Sequence, residues 1–403
     1  MKVVVLGAGV IGVTTAWYLM RAGHEVVVVE RREGPALETS FANGGQISVS
    51  HAVPWANPDA PREILQWLGR DDAPLRFRPR ADWRQWWWGL RFLLECLPGR
   101  TRRNAHEILA LALESQRALT ALRTELGLSY DHARAGILSL YTTRRAYDDA
   151  LARLDLLGTE VERAAQTPEQ CVGIEPALAA ARAQLVGGIY APDDESGDVH
   201  RFTVQLAQLC AERGVSFLYN HDLQHLSAAG GAISGGIAYT PEGHANIRAD
   251  AYVIALGCWS PLLTRELRLE LPVYPVKGYS ITLPVRDGDV APRVSITDEE
   301  RKIVFSRLGA RLRVAGMAEL AGYDARIDRS RCDAMLARTF ALFPRAGDRS
   351  AMECWSGLRP ATPGNVPLVG PTRYRNLYLN TGHGTLGWTL ACGSARRLAE
   401  AVV

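Results

Sequence analysis

The sequence predicts an α/β fold with two domains, in which a discontinuous Rossmann-like domain is combined with an α+β domain that contains an antiparallel sheet. A strand, a glycine-rich turn and a helix fill Lys2–Ala22, and a second apolar strand, Glu25–Glu30, follows. Short strand-like runs succeed one another within Val273–Met317, which is typical of an antiparallel sheet. A strand at Leu377–Thr381, a glycine loop and a helix close the chain, so Rossmann-like pieces are expected at both ends.

The division into domains follows from where these pieces lie. A length of 403 residues allows two or three domains at ~150 residues each. Helical and antiparallel insertions separate the α/β pieces at the two ends from a third α/β stretch in the middle. We therefore expect one domain built from residues 1–50, 150–265 and 350–403, and a second built from residues 51–149 and 266–349.

Composition excludes several classes of protein. A net charge of +3 is too small to indicate a nucleic-acid partner. The seven cysteines are scattered without a C-x-x-C pair, which favours reduced thiols in the cytoplasm over disulfides or zinc. His221 and His225 have the spacing of metal ligands but lack a third ligand nearby, so no metal is expected. No uninterrupted apolar run reaches the roughly 18 residues that a membrane span needs.

The first glycine motif predicts a dinucleotide site. Gly7-Ala8-Gly9-Val10-Ile11-Gly12 follows a strand and opens a helix, so Gly7 permits the turn, Gly9 admits a pyrophosphate and Gly12 allows close helix–strand packing. The helix N-terminus offers free N–H groups to the phosphates. Glu30, at the end of the next strand, is placed to accept hydrogen bonds from ribose hydroxyls, and Arg31 follows it.

Two further segments favour FAD over NAD. The run Glu38–Gln46 is rich in small hydrogen-bonding residues and can reach a second phosphate and a flavin ring. Asn380–Trp388 forms a second strand–glycine–helix junction, whose N–H groups would stabilise the negative charge of a reduced flavin, a benefit that a nicotinamide does not gain. The additional cofactor contacts that we expect are Thr39, Ser40, Asn43, Gly44, Gly45, Gln46, Leu223, Gly257, Gly384, Thr385 and Leu386.

With these motifs in place, the sequence resembles the D-amino acid dehydrogenase branch of the glycine oxidase/D-amino acid oxidase family. The matching segments are VVVLGAGVIGVTTAWYL, ETSFANGGQIS, APDDESGD, PVYPVKGYSITLP, WSGLRP and LNTGHGTLGWTLACGSA. The resemblance implies non-covalent FAD and oxidative deamination of D-amino acids to 2-oxo acids and ammonia. It also implies that electrons pass to a respiratory, quinone-type acceptor rather than to oxygen.

The candidate substrate residues are centred on Arg359. The resemblance assigns the arginine of Gly357-Leu358-Arg359-Pro360 to the substrate carboxylate, and a planar guanidinium suits a bidentate contact with that group. Tyr279 could donate its phenol to the same carboxylate or lie in the core, and His383 could contact flavin or substrate or only turn the chain. His51 stands where relatives carry Tyr, so it is a candidate for substrate preference. No catalytic base and no Ser/His/Asp triad is predicted.

A tryptophan-rich segment, Trp83–Leu94, leaves two interpretations open. Its apolar residues cover most of a helix circumference, which favours burial, but its mixture of aromatic, basic and apolar residues also fits an interfacial membrane anchor. The expected location is the cytoplasm, with peripheral contact at the inner face of the cell membrane under the second interpretation.

Three functional alternatives also stay open at this point. An oxygen-using amine oxidase acting on glycine, sarcosine or a D-proline derivative would share the motifs. An NAD-dependent dehydrogenase would share only the first βαβ unit. A flavin-binding module without catalytic activity would share the cofactor site.

Overall fold

A largely parallel sheet begins with the first strand of the chain. The structure is a computed structural model and describes residues 1–67, 73–154, 158 and 160–402. Strand β1 lies in the middle of this sheet, and Val4 is in register with Val27 on one side and Tyr252 on the other. The strands, numbered in chain order, are β1 (Lys2–Leu6), β2 (Glu25–Val29), β9 (Ser216–Leu218), β13 (Ala251–Ile254), β19 (Leu368–Pro371) and β20 (Leu377–Thr381). Their order is β19-β20-β13-β1-β2-β9, with β19 antiparallel to β20.

Both faces of this sheet are covered. Val3 and Val5 pack with helices on one face, whereas Val4 and Leu6 pack on the other face in a second buried cluster, so β1 reads as a continuous apolar run. The helices of the first face are α1 (Val10–Arg21), α7 (Val199–Glu212) and α10 (Gly387–Ala401). A three-stranded sheet contributes to the cluster on the second face and consists of β10 (Asp222–Ala229), β11 (Ala232–Thr240) and β12 (Gly243–Ile247).

A nine-stranded, mainly antiparallel sheet forms the other layer of the molecule. It contains β4 (Leu75–Phe77), β5 (Ile137–Tyr141), β6 (Ala164–Gln166), β7 (Gly187–Ala191), β14 (Tyr274–Pro284), β15 (Ser295–Asp298), β16 (Ile303–Leu308), β17 (Arg311–Leu320) and β18 (Glu353–Ala361). The order is β18-β14-β17-β16-β15-β5-β7-β6, and β4 pairs with β17. A short pair, β3 (Gln46–Ile47) and β8 (Glu195–Ser196), is separate from these sheets.

The remaining helices, of which the long helix Pro98–Leu126 packs against α10, are distributed around both sheets. They are α2 (Ala60–Trp67), α3 (Trp83–Glu95), α4 (Pro98–Leu126), α5 (Arg144–Leu151), α6 (Pro168–Ile174), α8 (Ser260–Thr264) and α9 (Arg329–Leu342). Within the described ranges, no helix is both long and apolar enough to span a bilayer.

The predicted α/β fold with a parallel and an antiparallel sheet is confirmed, and the differences have local causes. The long helix begins at Pro98 rather than Asn104, because proline is favourable in the first turn. The helix expected over 146–157 covers Arg144–Leu151, and residues 155–157 lie outside the described part of the chain. Strands β10–β12 were not predicted, because glycines and polar residues interrupt the alternation of apolar and polar positions that is typical of a strand. Strands β6, β7 and β18 belong to the nine-stranded sheet although their residues fall in the first predicted domain; the domain division stays a prediction.

Candidate active site

Three parallel strands end in glycine turns at one edge of the six-stranded sheet. Adjacent strands β1, β13 and β20 lead to Gly7, Gly257 and Gly382, whose φ angles are 103°, 54° and 84°. These positive φ angles suit glycine because a side chain would be strained there. Since the carboxyl ends of parallel strands meet at one edge, the first and last glycine motifs form a single cleft.

The first turn leaves no room for side chains on Gly7 and Gly12, but it leaves space at Gly9. A Cβ on Gly12 would lie 1.8 Å from the Gly7 carbonyl oxygen, so α1 packs closely on β1. A Cβ on Gly9 would meet only Ser40 Oγ, at 3.4 Å, which means that the space next to Gly9 is free for a ligand. Gly9 provides no side-chain cap and no acidic residue stands in the first turn of α1, so this helix end is suited to a pyrophosphate.

Glu30 closes the far end of this cleft. Its carboxylate accepts hydrogen bonds from Ala8 N at 2.7 Å and Arg32 N at 2.9 Å, and burial raises its pKa. Leu223 lies nearby, because His221 N, two residues before it, donates to the Glu30 carbonyl at 2.9 Å. Arg31 stacks over the Trp259 ring at 4.1 Å. The arrangement can hold the adenosine end of a dinucleotide.

The segment Glu38–Gln46 connects the cleft to the nine-stranded sheet. Ser40 Oγ accepts from Val10 N at 3.1 Å at the start of α1, and Thr39 Oγ1 donates to the Leu358 carbonyl in β18 at 2.8 Å. Three side chains of the nine-stranded sheet donate to carbonyls of the segment: Ser280 to Ala42 at 2.8 Å, Arg313 to Asn43 at 3.1 Å and Ser306 to Gly44 at 2.7 Å.

The last four residues of this segment, which were also predicted to contact the cofactor, shape its turn and attach it to the sheet. Asn43 Oδ1 accepts from Gly45 N at 2.9 Å and shapes the turn, and Gly45 has a φ of 73°. A Cβ on Gly44 would lie 2.6 Å from Val304 Cγ2, so the backbone lies directly on the sheet. Gln46 Nε2 donates to Ser295 and Thr297 hydroxyls, both at 3.0 Å.

The second helix start, Gly384–Gly387, lies beside the first. Asn380 Nδ2 donates to Thr15 Oγ1 of α1 at 2.9 Å, and α10 packs against α1. The helix begins without a side-chain cap or an acidic residue in its first turn. The Asn380 Oδ1 and His383 Nδ1 atoms are buried without a hydrogen-bond partner among the described residues. Free polar atoms and an uncapped helix start fit the pyrimidine side of a flavin.

Arg359 lies flat on the face of the nine-stranded sheet that the Glu38–Gln46 segment covers. It is in register with Val276, and a Cβ on the neighbouring Gly278 would come within 2.2 Å of the guanidinium carbon. Its Nη1 donates to the Met317 carbonyl at 2.8 Å. Met317 has a φ of 56° and lies in a bulge of β17 opposite Gly278, which directs this carbonyl to the arginine.

No described carboxylate neutralises the charge of Arg359. Burial lowers the pKa of the guanidinium to about 10, well above neutral pH, so the side chain is cationic. Its hydrogen bonds go to backbone carbonyls, and no carboxylate of the described residues forms an ion pair with it. A partly buried cation without an anion is suited to bind an anionic ligand.

The structure does not bring Tyr279 to the side of Arg359. Side chains alternate along a strand, so Tyr279 and Lys277 face away from Gly278. The phenol donates to Glu319 Oε2 at 2.7 Å, and Lys277 Nζ lies 3.3 Å from the same carboxylate oxygen. Burial and this carboxylate raise the pKa of Tyr279. The phenol is therefore engaged in the core with Glu319.

His383 lies close to the strand that carries Arg359. It forms an isolated bridge with Ala361, two residues beyond Arg359, and its Nε2 is 3.0 Å from Ser394 Oγ. Burial lowers the pKa of the imidazole to about 3, so His383 is neutral at physiological pH. A neutral ring beside the cleft can form hydrogen bonds without competing with Arg359 for an anion.

His51 joins a polar network at the other end of the same region. Its Nδ1 is 2.5 Å from Ser48 Oγ, and its Nε2 is 3.1 Å from Glu299 Oε1. Asp194 accepts from the Ser48 and Ser50 hydroxyls at 2.9 and 2.5 Å. Burial lowers the pKa of His51, but the hydrogen bond to Glu299 and the charges of Glu299 and Asp194 outweigh it, and the net pKa is raised.

The chain is similar to known proteins over its whole length. The profile of the family described as FAD dependent oxidoreductase matches residues 2–401. The chain belongs to this family. A D-amino acid dehydrogenase of Dechloromonas aromatica is 54% identical, with 100% of this chain and 97% of that protein covered. One of Paramagnetospirillum magneticum is 53% identical over 100% of this chain and 95% of that protein.

A solved structure supports the same fold. Glycine oxidase from Bacillus cereus superposes with a TM-score of 0.76 over 100% of this chain and 94% of that chain, at 21% sequence identity. The family depends on FAD, and the three glycine turns, the uncapped helix starts and the free buried polar atoms described above fit that cofactor.

Several polar residues of the region were not predicted from the sequence. Asp194 lies within the matching segment APDDESGD, but its partner Ser48 is 146 residues away. Glu299 is 248 residues from His51. Arg313 and Ser280, which hold the Glu38–Gln46 segment, come from strands that alternation alone assigns to the core. No spacing in the sequence signals pairs separated so far.

The glycine turn generates a prediction that separates cofactor binding from folding. Gly9→Ala should lose FAD but keep the unfolding free energy of the apoprotein, because its Cβ fills only ligand space and its φ of −68° suits alanine. Gly12→Ala should destabilise the apoprotein itself by about 1–3 kcal/mol through overpacking. Flavin released by heat and urea unfolding of the apoprotein measure the two effects. Gly173→Ala, in helix α6 where a Cβ meets nothing within 4 Å, is the control and should keep FAD without lowering the unfolding free energy.

The His51–Glu299 contact generates a prediction for stability against pH. Because the folded-state pKa of His51 is raised, the contact should stabilise fully below the unfolded pKa of about 6.5 and lose its effect as pH rises through the folded pKa. His51→Gln should therefore cost more unfolding free energy at pH 6 than at pH 9. Lys302, 2.9 Å from Glu299, has a raised pKa and stays charged at both values, and it repels a protonated His51, so Lys302→Gln should cost no more at pH 6 than at pH 9. Equal costs of His51→Gln at both pH values would contradict the interpretation.

Proposed function

We propose that the protein oxidises D-amino acids to 2-oxo acids and ammonia, with FAD as the immediate acceptor and a quinone-type compound as the final one. The observation that carries this proposal is the unpaired cation of Arg359 on the sheet face next to the cofactor cleft. The two relatives named D-amino acid dehydrogenase, at 54% and 53% identity, support the same substrate class.

The cofactor is assigned to the cleft between the glycine turns. The pyrophosphate would lie at the start of α1, Glu30 would hold the adenosine ribose, and the segment Thr39–Gln46 would follow the second phosphate and the ring. The start of α10, with Gly384, Thr385 and Leu386, would face the pyrimidine edge. FAD, when bound, takes up two electrons and the α-hydrogen as hydride.

Arg359 has the task of orienting the substrate. Its guanidinium, fixed by the Met317 carbonyl and by the flat surface of Gly278, would form a bidentate pair with the carboxylate. Holding the carboxylate in one place fixes the α-carbon relative to the cleft, and positioning of this kind supplies much of the rate in enzymes that transfer hydride. Trp355, whose ring lies across Gly357, limits water on the same face.

No side chain is assigned as a general base. The lowered pKa of His383 leaves its imidazole a very weak base, and the phenol of Tyr279 already donates to Glu319. The substrate amine would therefore react in its neutral form. His51 would influence substrate preference by holding residues 48–51 against Asp194 and Glu299.

The final acceptor is proposed to be a quinone-type molecule at a membrane. The protein would reach it by peripheral contact through Trp83–Leu94 at the inner face of the cell membrane. The exposed side chains of α3 support such a contact.

Arg359 gives the sharpest kinetic prediction. Arg359→Ala should lower kcat/KM for D-alanine at least about a hundredfold, because losing a charge-assisted pair in a dry site costs roughly 2–5 kcal/mol. Arg359→Lys should recover only part of the lost kcat/KM, since an ammonium group cannot form the planar bidentate contact of a guanidinium. Steady-state kinetics with a dye acceptor measure these losses, and FAD content should be normal.

A matched variant tests the position of the same cation. Gly278→Ala would push the guanidinium aside without removing it, because its Cβ would lie 2.2–2.4 Å from three guanidinium atoms. The expected loss in kcat/KM lies between wild type and Arg359→Ala, mainly through KM. Wild-type kinetics in Arg359→Ala, or loss of FAD in place of substrate affinity, would exclude this role for the arginine.

The choice of acceptor is tested by reoxidation. Protein reduced with D-alanine should be reoxidised by a soluble quinone analogue at the rate of turnover and by air much more slowly. Stopped-flow absorbance of the flavin follows both reactions. Air reoxidation as fast as turnover would make the protein an oxidase.

A further inference from the structure

A chain of hydrogen bonds links His51 to a carboxylate on the other side of residues 48–51. The Nδ1 atom of His51 lies 2.5 Å from Ser48 Oγ and 3.1 Å from Ser50 Oγ. Both hydroxyls donate to Asp194 Oδ2, at 2.9 and 2.5 Å respectively. Every link is within hydrogen-bonding distance, so a proton can pass from the imidazole through either hydroxyl to the carboxylate.

The imidazole end of this chain opens toward the sheet face that carries Arg359. The side chain of His51 is 31% exposed, and its Nε2 is 3.1 Å from Glu299 Oε1. Glu299 comes two residues after Thr297 of β15, whose hydroxyl accepts from Gln46 of the segment that covers this face. Because side chains alternate along a strand, Glu299 lies on the same face as Thr297.

Glu299 and Arg359 are two strand spacings apart on this face. Asp298, next to Glu299, is in register with Ile303, and Ile303 is in register with Gly316. The Gly316 carbonyl accepts from Arg359 Nη2 at 3.4 Å. At about 4.8 Å between neighbouring strands, the backbone of Glu299 lies roughly 10 Å from the guanidinium. A substrate held by Arg359 would therefore share one cleft with the start of the hydrogen-bond chain.

The carboxylate end of the chain opens on a different side of the molecule. Asp194 and Val49 stand in the wall of a cavity of about 720 Å³ beside α4. The outer wall of this cavity includes the exposed residues Arg117, Thr124 and Glu162, so bulk water can enter it. The hydrogen-bond chain thus connects the substrate cleft to a second opening.

The charges around the imidazole favour its protonated form. Glu299 and Lys302, from the turn after β15, and Asp194, from the loop before β8, are the charged groups that face it. Burial and Lys302 oppose a proton on His51, but Glu299 and Asp194 outweigh them, so the net pKa of His51 is raised. Burial also raises the pKa of the Asp194 carboxyl. Both shifts favour the protonated states through which a transferred proton would pass.

We propose that His51, Ser48, Ser50 and Asp194 form a proton relay, which carries the proton lost by the substrate ammonium group to the cavity beside α4. The relay rests on the proposed function, which needs the amine in its neutral form, whereas amino groups are largely protonated at neutral pH. An N–H bond of the ammonium breaks, each member passes on one proton for each one that it accepts, and water in the cavity receives the last one. No electrons move in this step, which precedes hydride transfer.

Glu299 has a different task from the members of the relay. Its carboxylate holds the imidazole through Nε2 and stabilises the imidazolium that forms when a proton arrives. Ser139 Oγ and Lys302 Nζ, at 3.1 and 2.9 Å, in turn hold this carboxylate. Glu299 is therefore a positioning residue.

A purely structural role for Asp194 predicts a different pattern of kinetics. Its Oδ1 also accepts from Val49 N at 2.9 Å and Ser50 N at 3.2 Å, so the carboxylate shapes this turn in either case. Loss of a turn contact alone would slow the reaction equally at every pH. Loss of a relay would slow it only where the ammonium form dominates, because a neutral amine has no proton to release before hydride transfer.

Stopped-flow reduction of the flavin by D-alanine in the holoenzyme tests the relay. Asp194→Asn should slow reduction at least about tenfold at pH 7, because the proton loses its acceptor, and the difference should vanish as the pH approaches 10. The slowed reaction should show a larger solvent isotope effect in D2O than wild type does, since a transfer of an exchangeable proton then limits the rate.

A second variant and a matched control make the test specific. Ser48→Ala combined with Ser50→Ala keeps both backbone hydrogen bonds of Asp194 and should reproduce the slow, pH-dependent reduction. Asp193→Asn removes a carboxylate from the wall of the same cavity, outside the relay, and should reduce the flavin at the wild-type rate. Flavin absorbance should show wild-type FAD content in every variant.

Three outcomes would overturn the relay. One is a wild-type reduction rate in Asp194→Asn and in the double serine variant. Another is a loss that is equal at pH 7 and pH 10 without a larger solvent isotope effect, which would assign Asp194 to the turn alone, and loss of FAD from both variants would do the same. These outcomes leave the proposed function intact, whereas a wild-type protein whose flavin no D-amino acid reduces would contradict that function and the relay together.

Discussion

The hydrogen bonds of the segment Glu38–Gln46 are the constraint on which the candidate site depends. Through Ser40 the segment holds the N-terminus of α1, and through Thr39 it holds β18. Side chains from β14, β16 and β17 then fix its carbonyls. The parallel sheet supplies the glycine turns and the antiparallel sheet supplies Arg359, and this one segment is bonded to both. The segment therefore fixes the glycine turns relative to Arg359, and with them the proposed cofactor and substrate sites.

Buried charges in this molecule fall into two kinds. Glu319 is surrounded by Lys277 and Tyr279, and Glu299 is held by His51 and Lys302, so each of these carboxylates has its counter-charge within the protein. Arg359 differs because its described partners are backbone carbonyls. Such an uncompensated cation is less costly to a folded chain when an anionic ligand supplies the missing counter-charge. Arg313 and Arg331 also bond to carbonyls without an ion pair to a described carboxylate, so it is the position of Arg359, on the sheet face beside the glycine turns, that distinguishes it from them.

Helix α3 illustrates how one sequence segment satisfies two environments. Of the two interpretations of its tryptophans, burial describes only part of the helix, and interfacial anchoring stays a prediction for the exposed part. Trp88 is buried on β18, whereas Trp83 and Trp86 are exposed by more than half. Sequence pattern could not divide them, because the apolar residues cover most of the helix circumference and only the contact with β18 determines which side is buried.

The sequence alone determined those features of the protein that depend on neighbouring residues. The glycine turns at Gly7 and Gly382, the strands that precede them and the family resemblance follow from short-range patterns, since φ angles and apolar runs are properties of neighbouring residues. Tertiary structure decided what depends on distant partners. It turned Tyr279 away from Arg359, placed Asp194 and Glu299 around His51 and left Trp83 and Trp86 of α3 exposed. The physical reason is that hydrogen bonds and burial are set by which strands and helices meet, and residues more than a hundred positions apart meet only after the chain has folded.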